Sequence, residues 1–121
     1  MSDYTIEFYE DRHGFCPIGE WLIGLDQSNS KLSKSMLKKV YFQLERLARE
    51  GPLIGEPIVK KLDSEIWELR PIPNRVFFAV MKDKQIVILH HYRKKSQRTP
   101  DHELAQARRE FKDWQVRSAL Q

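Results

Sequence analysis

The sequence is poor in the residues that build covalent or metal frameworks. Cys16 is the single cysteine among 121 residues, which excludes an internal disulfide and a cysteine-ligated metal centre. Glycine is scarce too: the five glycines, at 14, 19, 24, 51 and 55, offer no loop spacing that cradles a phosphate. No apolar run approaches the roughly 20 residues of a membrane span. The first residues, "MSDYTIEFYEDR", lack the basic start and apolar stretch of a secretory signal. Internal repeats, low-complexity tracts and linkers are missing as well. These absences lead us to expect one domain over residues 1–121, soluble, in a reducing cytoplasm, with no membrane partner and no cofactor.

What the chain has is charge and a modest core. Charged residues make up 31% and apolar ones 40%, with a net charge of +4. That excess is too mild to imply nucleic acid by itself, so its placement matters more.

Periodicity divides the chain in two. "YTIEFY" (4–9) alternates as a strand. Pro17 opens a short helix, 17–28, whose Ile18, Trp21, Leu22 and Leu25 form one stripe. Residues 31–50 carry the clearest amphipathic helix, with Leu37, Val40, Tyr41, Leu44, Leu47 and Ala48 at three- and four-residue intervals, and Gly51-Pro52 ends it. The middle changes to strand periodicity: "EIWELR" (65–70), "RVFFAVM" (75–81) and "QIVILHHY" (85–92), with "PIVKKL" (57–62) as a further edge piece. "KDK" (82–84) is a tight hairpin. Thr99-Pro100-Asp101 starts a last helix, to about Arg117, with Leu104, Ala107, Phe111 and Trp114 on one face. The expected fold is α+β: a small antiparallel sheet of about four strands, two N-terminal helices and a C-terminal helix, with the helices covering one face.

Candidate chemistry narrows by elimination. His90 and His91 are neighbours on a strand, so they point to opposite faces and cannot chelate one metal. His13 and His102 have no ligand-like neighbours at helical spacing, so no metal site is expected. There is no Gly-x-Ser-x-Gly nucleophile, and Cys16 reads as an unreactive, apolar position. Cations remain. Hairpin topology brings the end of 65–70, the start of 75–81 and the end of 85–92 to one sheet edge. Arg70, Arg75 and the basic run from Arg93 through Lys94 and Lys95 to Arg98 therefore converge. Lys38, Lys39, Lys60 and Lys61 read as solvated charges; for Arg70 the plain alternative is a surface pair with Glu68, of little energy.

Paired arginines suit a phosphodiester and the charge that builds on it. Metal-free RNA cleavage also needs a base for the 2′-hydroxyl and an acid for the leaving 5′-oxygen. A lysine crowded by cations is shifted toward that task, which makes Lys94, or Lys95 beside it, the candidate general base. His90 or His91 needs no such shift, although histidines in an apolar strand are more often structural.

"IWELRPIPNRVFFAV" followed by "IVILHHYRKKSQRTPDHELAQARREF" resembles the phage-derived Gp49-like/HigB-type branch of the RelE/ParE toxin superfamily. The most specific part is "LHHYRKKSQRTPDHELAQA", and the order of elements matches over about residues 4–117. The resemblance implies a RelE-like fold and the toxin of a type II toxin–antitoxin pair. It implies a ribosome-dependent mRNA endonuclease (an mRNA interferase) working without metal, and a helix-turn-helix antitoxin as partner. The functional arginines of the family fall on Arg70 and Arg75, and its basic motif on Lys94 and Lys95. Arg93, Arg98, His90, His91 and Tyr92 are the accompanying RNA-binding candidates. Tyr92 stands where the family often has Phe, and His91 and Arg93 where it has small or apolar residues. Two other readings stay open: a ParE-like inhibitor of DNA gyrase or topoisomerase that catalyses nothing, and a non-toxic basic binding module.

Overall fold

The computed structural model describes residues 3–95 and 97–119, so Ser96 within the basic run lies outside the described residues. The chain forms β1 (Thr5–Phe8), α1 (Pro17–Gln27), α2 (Lys31–Glu50), β2 (Val59–Lys61), β3 (Ile66–Leu69), β4 (Asn74–Met81), β5 (Gln85–Arg93) and α3 (Asp101–Ala119). Each expected element is present, with ends shifted by a residue or two.

The local causes are readable. Cys16 caps α1, its Sγ accepting the Gly19 N–H at 3.4 Å, and Pro17 takes the first helical position, where no amide hydrogen is needed. Ser30 caps α2, its Oγ accepting from Leu32 and Ser33 at 3.1 and 3.3 Å. Gly51 ends α2 at φ 65°, and a Cβ there would lie 2.3 Å from the Tyr4 ring. Glycine is thus required twice over, by the left-handed backbone and by the ring pressed against it. In the hairpin, Asp83 and Lys84 take φ values of 62° and 57°.

The fold class is α+β, and the sheet has five strands in the order β1-β5-β4-β3-β2. Four of them pair antiparallel as the hairpins require, but β1 joins β5 in parallel, so the sheet is mixed. Nor do the helices share one face. Helices α1 and α2 bring Ile18, Leu22, Val40, Leu44 and Leu47 against Leu69, Val76, Phe78, Ile86 and Ile88. On the other face, Ala107 and Phe111 of α3 pack over Tyr9, Ile66, Phe77, Ala79, Val87 and Leu89. The cause lies in β4 and β5: both carry unbroken apolar runs, which only cover on two sides can bury. Tyr9 ties α3 to the end of β1, its hydroxyl donating to Asp113 Oδ2 at 2.7 Å. Burial, then the Asp113 carboxylate, pushes the Tyr9 phenol up to about 12.

One irregularity positions everything that follows. Val76 pairs with His91 while Phe78 pairs with Ile88, so β5 has one residue more than β4 opposite Phe77. This is a β-bulge, which reverses the in–out alternation beyond it. Before it, Ile86 and Ile88 face α1 and α2; after it, even-numbered His90 and Tyr92 face α3.

Candidate functional site: a basic cleft around a buried carboxylate

At the sheet end where β3 stops, β4 starts and β5 leaves, four residues gather: Glu68 of β3, Arg70 just after it, Arg75 of β4 and Tyr92 of β5. Arg75 is the register partner of Tyr92, and Glu68 of Phe77. Glu68 is 0% exposed. Its Oε1 accepts from Arg70 Nε at 3.1 Å and lies 3.6 Å from Arg75 Nε. Its Oε2 accepts from the hydroxyls of Tyr92 at 3.1 Å and Thr99 at 3.4 Å. The pair Glu68–Arg70 is therefore a buried hub, not the surface pair the sequence suggested. A surface pair leaves both ions in water, whereas here the carboxylate is satisfied only by protein groups. Arg75 Nη1 also donates to the Asn74 carbonyl at 3.1 Å.

Two guanidinium charges around one carboxylate leave the cluster positive, and lysines add to it. A cleft of about 290 Å³ opens beside the hub, lined by Lys60, Lys61, Arg70, Lys94, Arg98 and Thr99 among others. Lys60 and Lys61 come from the edge strand β2; these are the residues sequence reasoning set aside as solvated. Their signal was hidden because β2 reaches the site only through its pairing with β3. Desolvation, then the nearby Arg75, lowers the Lys94 pKa, with Arg70 and Lys60 adding to the effect and Glu68 opposing it. Burial, then the Glu68 carboxylate, raises the Tyr92 pKa, so its phenol stays protonated and donates.

The other predicted residues are spread more widely. Arg98 stands at the cleft rim, highly exposed, and pairs with Asp101 at 3.3 Å. Lys95 is exposed and is not among the residues lining the cleft. Arg93 belongs to a different hollow, on the α1/α2 side, with Trp21, Met36 and Ile72. His91 also turns to that side and stacks on Trp21 with ring centroids 3.9 Å apart. Burial, then the charge on His90, pushes His91 down to about 4, so it is neutral at pH 7. His90 lies under α3, with Nδ1 2.7 Å from Glu110 and Nε2 3.0 Å from Glu103. Burial opposes its protonation, but the hydrogen bonds and charges of Glu110 and Glu103 outweigh it and raise the pKa. The structure thus sets His90 and His91 apart from the cleft: one is a staple between sheet and helix, hydrogen-bonded to two acids, the other a neutral stacking partner. Among the described residues, no group of three or more His, Cys, Asp or Glu side chains is disposed to hold a metal ion. No helix is long and apolar enough to cross a membrane, again among the described residues.

A mixed sheet flanked by helices on both faces, with an arginine–lysine cleft at one strand end, defines an α+β domain with a concentrated positive charge. The family comparison makes this specific: residues 28–112 match the phage-derived Gp49-like family. The chain belongs to that family, which is a RelE/HigB-type toxin family, and toxins of this kind have an antitoxin as partner. The match runs from just before α2 to residue 112 within α3, leaving β1 and α1 outside it. No curated protein matches the chain.

Proposed function

We propose that the protein is the toxin of a type II toxin–antitoxin system and cleaves mRNA on the ribosome. The single observation that carries this reading is the pair Arg70 and Arg75 anchored on one buried carboxylate beside Lys94. In this reaction the 2′-oxygen attacks the adjacent phosphorus. Lys94 in its neutral form takes the 2′-hydroxyl proton, which its lowered pKa favours. Arg70 and Arg75 stabilise the charge that accumulates on the phosphoryl oxygens. The bond to the 5′-oxygen then breaks and that oxygen takes up a proton, leaving a 2′,3′-cyclic phosphate. Lys60, Lys61, Lys95, Arg93 and Arg98 draw the message to the sheet end through their charge. The antitoxin in this reading is a small helix-turn-helix protein.

The test is induced expression of the wild type, Arg70→Ala and Arg75→Ala, with primer extension on cellular mRNA. New codon-associated cuts are expected in the wild type, with a loss of about 10²–10³-fold in either variant, as for removal of a charge-stabilising donor. Growth arrest with intact mRNA and poisoned gyrase would overturn the reading in favour of a topoisomerase inhibitor.

A further inference from the structure

The hub residue itself has no place in the proposed chemistry: Glu68 is fully buried, touches no solvent and carries the wrong charge to meet a phosphate. An acid beside an anion-binding cleft weakens attraction for RNA. Its retention at the centre of the cluster therefore needs a reason other than binding.

The geometry supplies one. The two carboxylate oxygens are divided in their tasks. Oε2 is held by two hydroxyls, from β5 (Tyr92) and from the segment before α3 (Thr99). Oε1 is left to the Nε edges of Arg70 and Arg75. The hydroxyls stop the carboxylate from turning, and the oriented Oε1 fixes the plane of Arg70, which donates to it through Nε, while Arg75 Nε, 3.6 Å away, is held as an ion-pair neighbour without a hydrogen bond. Arg75 adds a second restraint through Nη1 and the Asn74 carbonyl. Arginine otherwise carries about 2 kcal/mol of rotamer entropy, and two like charges this close would swing apart.

We propose that Glu68 is the positioning residue of the basic site. Its oriented, buried carboxylate holds Arg70 and Arg75 side by side so that both address one phosphate group. This inference rests on the functional reading above only for the identity of the phosphate, and the β-bulge is part of the device. Without the extra residue opposite Phe77, Tyr92 would face α1 and α2 and Oε2 would lose a donor.

The experiment uses the full chain and two probes. The first is inorganic phosphate, titrated while the arginine Nε–H signals are followed by NMR. In the wild type, Arg70 and Arg75 give dispersed signals that move together with phosphate. In Glu68→Gln they collapse toward those of free arginine and phosphate affinity drops about tenfold or more, as expected when a charge-assisted bond is lost. The second probe is translating message: Glu68→Gln cuts about 10²-fold more slowly at saturation, while its affinity for RNA falls much less than its affinity for phosphate, because the surrounding lysines still hold the rest of the backbone. A purely structural role predicts a lower Tm with an unchanged rate per folded molecule. Tyr92→Phe combined with Thr99→Val keeps the charge and frees the carboxylate to rotate, so it serves if Glu68→Gln does not fold; a partial loss, about three- to tenfold, is expected. Unaltered arginine signals and phosphate affinity in whichever variant folds overturn the proposal. A wild type that cuts no message, with the phosphate result as expected, overturns the RNA reading and leaves the positioning role standing.

Discussion

On the α1/α2 side of the sheet, Leu22, Val40, Leu44 and Leu47 meet Leu69, Val76, Phe78 and Ile88, and Gln43 is the only buried polar residue on those helices. On the α3 side, Phe77, Val87 and Leu89 share the interior with the buried acids Glu68 and Glu110 and the buried imidazole of His90. One face is closed by apolar packing along its length. The other is apolar in the middle and ionic toward the strand ends that carry the cleft. Apolar packing tolerates exchange of shape and volume, whereas buried charges demand particular partners in particular places. The second face therefore gives up adaptability for fixed geometry, and fixed geometry is what a phosphate site needs.

The sharpest way to break this contrast is to injure each face in its own currency. Phe78→Ala on the apolar face is expected to cost about 3–5 kcal/mol, the usual penalty for emptying a large buried site. Chemical denaturation measures it, and the arginine geometry of the surviving folded fraction should be unchanged. Glu110→Gln on the ionic face is expected to cost about 3 kcal/mol, because it strips His90 of its nearer acid and leaves a buried charge half-compensated. Much of that loss should return in His90→Leu with Glu110→Leu, which replaces the ions by apolar groups.

A smaller effect follows from pH, and the two neighbouring histidines give it opposite signs. His90 is raised above its ordinary 6.5, so the stability it supplies is fully present below about pH 6.5 and is lost as pH rises through its folded value. His91 is lowered to about 4, so its neutral form supports the fold above pH 6.5 and that support is lost between 6.5 and 4. Thermal melts of the wild type should fall on both sides of an optimum near pH 6.5. Glu110→Gln should flatten only the alkaline limb, and His91→Gln only the acid one. The smallest change belongs to the surface. Arg98→Ala removes an exposed pair and should move stability by less than about 0.5 kcal/mol. In RNA binding it should weaken all sequences alike and reduce the salt dependence by about one unit of slope.

Much of this was legible in the residues. The periods of 3.6 and 2 placed the helices and strands, and two hairpins predicted that Arg70, Arg75 and the basic run 93–98 converge, of which Lys94 and Arg98 line the cleft and Arg93 and Lys95 do not. The site was less legible where pairing and depth decide. Lys60 and Lys61 look like any exposed lysines until β2 is hydrogen-bonded to β3. Arg93, one residue from Lys94, points to the opposite side of the sheet. Glu68 sits in an alternating pattern that reads the same whether its face is wet or buried.

The amino-acid sequence by itself determined the elements, the antiparallel run β3 to β5, the end of the sheet at which the cations gather, and membership in a toxin family. Those depend on local propensity, chain connectivity and short motifs. The tertiary structure alone decided that α3 closes the second face, that β1 lies parallel beside β5, and that a bulge turns Tyr92 toward Glu68. It also decided that one carboxylate is dry enough to hold two arginines. These depend on which surfaces exclude water from one another, and that is settled only when distant segments of the chain are brought together.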